Sequence, residues 1–292
     1  ASRGITLVSS PTLDIYYLGF NWDDPVLGEI DDPEQNLRNR KLRQALSCAY
    51  DFELMNQFMN NRLYPIGGPI PQPLAGSLDK PSPYSFNLEK ARRLLVEAGV
   101  PDGIDPATGR RLELTMELGS ATANTRQMME LMADMYRKIG IVLNANFNTW
   151  PAFIEKMNRR QAQMFQLGWV ADYPDAENFL QLFYSKNESP GPNHANYRNA
   201  EFDRMYEKIR TMQDSPERTA IYKQMAEIVI EECPWIFLYQ PMDFGLTHTW
   251  VENYVSHAFP YGMGKYRRIN PDVREAWFKK YGDNKLDMTG RD

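Results

Sequence analysis

Between Leu112 and Val170 the chain runs twice from strand pattern to helix pattern and back, and few folds accept that order. Leu112 to Leu118 alternates apolar and polar side chains with a period of two, the mark of a strand with one wet face. Thr122 to Ile139 then places Met128, Leu131, Met132, Met135 and Ile139 on one side of a helix, and Gly140 ends it. Ile141 to Phe147 is the next strand, and Trp150 opens a second helix with Pro151 in its first turn. The third strand begins at Gln163 with the apolar run Met164-Phe165-Gln166-Leu167. Each strand–helix–strand run demands a parallel pair and a right-handed crossover. The expectation is an α/β domain with a mixed, mostly parallel sheet flanked by helices. The methionine stripe reads as core, with a soft binding groove as the alternative.

The flanking segments fit such a domain. Leu13 to Asn21 is a strand, and Trp22 to Asn36 an acidic, proline-marked loop. Leu37 to Asn61 is helical, with Asp51 placed to cap a second helix and Arg43 on a solvated face. Tyr64 to Ser85 carries too many prolines and glycines for regular structure and predicts a long loop. Asn87 caps a helix over Leu88 to Ala98, and two further helices span Glu201 to Met212 and Ser215 to Glu232. A buried strand follows at Trp235 to Tyr239, then an aromatic and basic tail.

Composition narrows the function classes. The net charge of −5 argues against a nucleic-acid partner, which normally needs a basic face. Cys48 and Cys233 are far apart and make no CxxC, and no HExxH, P-loop, dinucleotide glycine fingerprint or GxSxG occurs. The two cysteines read as buried thiols, with a disulfide as the alternative. No apolar run reaches 18 residues. An enzyme is therefore not expected, nor a metal or cofactor site.

The candidate site is the corner after the third strand. In Gly168-Trp169-Val170-Ala171-Asp172-Tyr173-Pro174-Asp175, an indole, a phenol and two acids stand between strand and helix, where open α/β sheets hold ligands. Asp175 can cap the helix that follows, and packing roles for Trp169 and Tyr173 are the plain alternative. A carboxylate at Asp172 can pair with an α-ammonium group, the strongest kind of hydrogen bond where water is excluded. Trp169 and Trp150 offer flat walls that accept varied side chains. Asn193 and Tyr197, in the loop Ser185 to Asn199, suit either contact with a peptide backbone or a polar surface turn. Asp172 and Asp175 are only three residues apart, and nothing pins the geometry a glycosidase needs.

GWVADYPDAENFL resembles the signature of the family 5 extracellular solute-binding proteins, the receptors of ABC importers. Three further segments resemble the same family in the same order: Asn39 to Leu46 with the capping Asp51, the proline-rich passage, and Asn87 to Gly99. The resemblance implies a periplasmic-binding-protein-like lobe of type II, here a C-terminal ligand-binding lobe over 1–240. A tail over 241–292 would return toward an N-terminal lobe that, with its secretion signal, the chain lacks. It also implies a small peptide as ligand, an ABC permease as membrane partner, closure of two lobes by hinge motion, and a periplasmic or extracellular location, with tethering through the missing N-terminus. In peptide-binding members the aspartate matching Asp172 receives the peptide amino terminus, and the tryptophan matching Trp150 lines the site. The basic residues that meet a peptide carboxylate fall here at about Met157 and Gln166, both uncharged, with Arg159 or Arg160 as substitutes. The same scaffold also carries oligosaccharides, haem or nickel chelates in other members. A carboxylate-dependent hydrolase is the alternative from another class.

Overall fold

Side chains that cap helix ends decide where the elements of this chain start. The computed structural model describes residues 4–257 and 262–281. In chain order these form β1 (Ile5–Pro11), β2 (Asp14–Phe20), α1 (Pro33–Ala49), α2 (Phe52–Phe58), β3 (Leu63–Tyr64), α3 (Leu88–Glu97) and β4 (Glu113–Leu118). There follow α4 (Ala123–Arg137), β5 (Val142–Phe147), α5 (Trp150–Asn158), β6 (Met164–Val170), α6 (Glu177–Leu180), α7 (Ala200–Ile209), α8 (Pro216–Glu232) and β7 (Trp235–His248). The last are β8 (Val251–Glu252), β9 (Arg268–Ile269) and α9 (Pro271–Tyr281). Asp51 accepts the Leu54 N–H, Asn87 that of Lys90, Thr122 that of Thr125 and Ser215 that of Arg218. Each such cap contributes about 1 kcal/mol by satisfying a donor the helix itself cannot. Asp32 does the same for Glu34 and Gln35, which starts α1 earlier than its apolar spacing suggests.

The described residues fall into two compact units, Leu13–Pro241 and a second made of the chain up to Thr12 with the residues from Met242 onward. Within Leu13–Pro241 the sheet order is β7-β2-β6-β4-β5, with β3 on the outer edge of β7. β4 pairs in parallel with β5 and with β6, so both expected strand–helix–strand units are present. The sheet is mixed, but its parallel pairings are confined to these three strands. β2 inserts between β6 and β7 in the opposite direction, which makes both of its pairings antiparallel and keeps the sheet from being mostly parallel.

The two faces of the sheet bury different chemistry. Leu18, Phe20 and Met164 turn toward α1, α3 and α4 and meet Leu42, Leu46, Leu95, Met129, Met132 and Met135 in one apolar core. The methionine stripe is core, as expected. Tyr17 and Phe165 alternate to the other face, where Tyr17 stacks on Trp235 and Phe183 meets Trp235, Tyr197 and Phe202. Cys48 and Cys233 are free, buried thiols, and burial pushes them up to about 11 and about 12.

Arg43 is not on a solvated face. It is fully buried, lies 4.2 Å over the Trp22 ring, and donates to the carbonyls of Leu27 at 2.7 Å and Glu232 at 2.7 Å. Burial pushes its guanidinium down to about 10, which still leaves it charged near neutrality. An arginine fork, with five donors in one fixed plane, reaches both carbonyls from a single side chain.

In the second unit, β1 pairs antiparallel with Met242–His248 of β7, and β8 pairs with β9. Trp277 of α9 meets the rings of His248 and Trp250 edge-on. Residues 4–12 group with the residues from Met242 onward, because Ile5–Pro11 finds its ladder partner there. Of the tail expected over 241–292, residues 258–261 and 282–292 lie outside the described ones.

Arg43→Met should leave the Leu27 and Glu232 carbonyls buried without donors and lower stability by about 3 kcal/mol, read as a fall in the urea midpoint at unchanged slope.

Candidate functional site

The carboxyl ends of β4 and β6 and the start of α4 enclose a cavity of about 420 Å³. Its walls are Tyr16 of β2, Met59, Leu118 to Ser120 at the end of β4, Asn124, Thr125 and Met128 of α4, Trp150, Gln166 to Val170 of β6, and Tyr239 of β7, with Asp14 at one side. Tyr16 and Tyr239 are cross-strand partners whose rings stack at 5.1 Å, so one wall is a continuous aromatic plate. Gly119 makes room for a second. A Cβ there would sit 2.7 Å from the Trp150 ring, so any larger residue would push the indole off the end of β4. Trp150 stays 56% exposed and offers its outer face to the cavity. Among the described lining residues there is no lysine or arginine.

Just past β6 the chain turns, and one buried amide holds the turn. Asn178 of α6 accepts from Trp169 Nε1 at 2.9 Å and from the Asp172 N–H at 3.2 Å, and its Nδ2 donates to Asp172 Oδ2 at 3.2 Å. Trp169 is thereby fixed in the cavity wall, and Asp172 stands exposed two residues beyond Val170, outside the lining itself. Tyr173 is 41% exposed and donates its hydroxyl to Glu177, which also accepts from Tyr206 of α7.

Asp175 braces the same turn from behind. Its Oδ1 accepts the Glu177 N–H at 2.9 Å, close to the capping role expected of it, and also the Tyr222 hydroxyl at 2.7 Å. Its Oδ2 takes Arg218 Nη1 at 2.7 Å. Burial works against this charge, but the Glu177 N–H, Tyr222 and Arg218 outweigh it and hold the carboxyl below its ordinary value. Arg218, in α8, is itself bonded to Asp214 and to the Ile209 carbonyl.

Four of the six sequence candidates thus gather on one side of the lobe: Trp150 and Trp169 in the cavity wall, Asp172 and Tyr173 on the adjoining turn. The other two do not join them. Asn193 is fully buried and spends its amide on the carbonyls of Tyr184 and Tyr197 and on the Tyr197 N–H. Tyr197 is fully buried among Trp22, Phe183 and Phe202. Both hold the 185–199 loop closed because its inward main chain needs partners. Of the positions weighed for a carboxylate clamp, Met157 is buried and Gln166 lines the cavity, its Nε2 3.7 Å from Met128 Sδ. Arg160 is tied to Asp23 and Glu188, and Arg159 to Glu155. The sequence reading missed Asn178 and the Tyr16–Tyr239 plate. Asn178 stood within the quoted signature, six residues after Asp172, whereas nothing local marks which strands bring two tyrosines together.

A family model described as bacterial extracellular solute-binding proteins, family 5 middle, matches residues 1–191. The chain is 25% identical over 258 residues to heme-binding protein A of Haemophilus influenzae, covering 88% of this chain and 45% of that protein. It is 24% identical to the oligopeptide-binding protein AppA of Bacillus subtilis, covering 87% of this chain and 46% of AppA. The chain therefore spans about half the length of the curated relatives it matches. Its fold superposes on HbpA2 of Haemophilus parasuis with a TM-score of 0.79 at 24% identity, over 91% of this chain and 50% of that one. Both curated relatives bear the names of binding proteins.

Asn178→Ala should free the Trp169 indole and cost about 2 kcal/mol of stability, seen in denaturant melts and in a changed tryptophan emission. For Asp175 the sign runs toward acid lability. Its folded carboxyl lies below the ordinary 3.8, so its stabilisation is full above that value and drains away as pH falls through the folded pKa. Asp175→Asn should flatten the acid limb of a stability–pH curve while lowering stability at pH 7.

Proposed function

The chain belongs to the bacterial extracellular solute-binding proteins of family 5, and from that premise we propose that it is the ligand-binding C-terminal lobe of an ABC-importer receptor that takes peptides. The observation that carries the reading is the exposed carboxylate of Asp172, held by Asn178 on the turn that also fixes Trp169 in an aromatic cavity. A free α-ammonium group would sit on Asp172, with the peptide body lying across Trp169, Trp150 and the Tyr16–Tyr239 plate. Such walls accept flat or bulky side chains without selecting one shape. Tyr173 would stand at the edge of the anchor. The part of the relatives that this chain does not span would supply the opposite wall, and the tail from residue 241 would return toward it. Hinge closure of the two lobes would then seal the ligand from water and present the closed form to a membrane permease, outside the cytoplasm.

A second reading has its own support. The cavity wall combines two stacked tyrosines, two indoles and the thioethers of Met59 and Met128 without a cation, and one relative bears the name heme-binding protein. A flat, largely apolar ligand such as haem would use the walls and leave Asp172 idle.

Calorimetry separates the two. Free-amine di- to pentapeptides should bind the 292-residue chain weakly, because half of the enclosure is absent, and Asp172→Asn should weaken that binding by about 1 kcal/mol, the range of a solvated charge pair. N-acetylated peptides should show no such loss. Equal binding by both chains, or submicromolar affinity of this chain alone, would count against the amine-anchored reading; haem binding untouched by the substitution would favour the second.

A further inference from the structure

A second and larger cavity, of about 670 Å³, shares no lining residue with the first. It lies under the proline-rich loop, walled by Tyr50, Phe52, Tyr64, Tyr84, Phe86 and the β7 segment Ile236 to Leu238. What distinguishes it is the main chain at its wall. The Phe20 N–H bonds the Pro234 carbonyl at 3.0 Å, and Leu18 stands opposite Ile236. Because an antiparallel ladder alternates, Pro234 and Ile236 direct their main-chain groups at β2, and Trp235 and Phe237 direct theirs away. The outward Trp235 carbonyl takes the Cys233 thiol at 3.6 Å. β3 covers only the next stretch of this edge, Tyr64 opposite Gln240 and Leu63 opposite Pro241, and Pro65 has no N–H with which to continue. Among the described residues, no main-chain group outside the strand ladder bonds the Phe237 N–H or C=O.

An open strand edge is ordinarily covered, charged or twisted away. Here it is recessed between aromatic side chains, so only a thin, extended chain can reach it. The lining also carries Asp51, Glu53 and Asp79 against Lys80 alone, which favours a cationic visitor. We propose that the outer edge of β7 at Ile236 to Leu238 docks an extended, lysine- or arginine-bearing segment of a partner protein, which adds as a short strand in line with β3. Its main chain pairs with Phe237. Alternate side chains enter between Tyr64, Phe52 and Phe86, and the basic group faces Glu53 and Asp79. Strand addition of this kind draws affinity from the main chain and selectivity from the flanking pockets. The site is independent of the cleft around Asp172.

The test uses the 292-residue chain and a pentapeptide blocked at both ends, acetyl-Thr-Lys-Val-Lys-Thr-amide, which has no terminal amine for Asp172. Calorimetry should show saturable binding, and amide exchange by NMR should slow at the Phe237 N–H by about tenfold or more at saturation. A copy of the peptide methylated on its Val and second Lys nitrogens should bind about tenfold weaker or worse, having lost its strand-pairing donors. Glu53→Gln with Asp79→Asn should weaken the unmethylated peptide several-fold. Equal binding of the methylated copy would show a pocket for apolar groups instead. Protection at Trp169 in place of Phe237 would show cleft binding, and no saturation at millimolar peptide would show that nothing docks; each overturns the proposal.

Discussion

The turn after β6 depends on one carboxamide. Asn178 is buried where water cannot replace it, and its oxygen takes both the Trp169 indole and the Asp172 N–H while its nitrogen donates to the Asp172 carboxylate. An aromatic wall and an exposed acid are thereby fixed relative to each other by a single side chain. A buried polar group left without partners is expensive, so the turn has one low-energy arrangement. Behind it, Asp175 reaches Tyr222 and Arg218 of α8, and Glu177 reaches Tyr206 of α7. The turn is a loop by secondary structure, yet helices hold it from the rear. That is how a site on a connection can be as well placed as one on a strand.

The chemistry of the cavity follows from what lines it. Aromatic rings and thioethers gain from any apolar body that displaces water, and they ask little of its shape. The basic side chains nearby are occupied elsewhere, Arg160 with Asp23 and Glu188 and Arg159 with Glu155, so this lobe offers a ligand carboxylate no partner among its described lining residues. If the ligand is a peptide, as proposed, charge recognition on this side would fall to acids, which would hold its cationic end and tolerate the rest.

Much of the fold was legible because its signals are local. Period-two alternation placed β4, period 3.6 placed α4, and Asp51, Asn87, Thr122 and Ser215 stood at helix starts where their side chains meet free N–H groups. What escaped is set by tertiary contacts. Arg43 looks like any solvated arginine until α1 is laid against the end of α8 and the Leu27 carbonyl. Asn193 and Tyr197 have the composition of a binding loop, but the loop's own carbonyls claim the amide and an aromatic cluster claims the ring. The strand β1 was not foreseen, since Thr6 to Ser10 gains its pairing only from residues more than two hundred positions later. At the site, the indoles and Asp172 could be read from the signature, whereas the Tyr16–Tyr239 plate arises from strand order alone.

The most direct measurement of the central claim is a crystal structure of a receptor containing this lobe with a free-amine peptide bound. The ligand's amine nitrogen should lie about 2.7–2.9 Å from an Asp172 carboxylate oxygen, with Asn178 still bonded to Trp169. A peptide lying across Trp150 and Trp169 with its amine remote from Asp172, and that carboxylate still turned only to Asn178 and solvent, would contradict it.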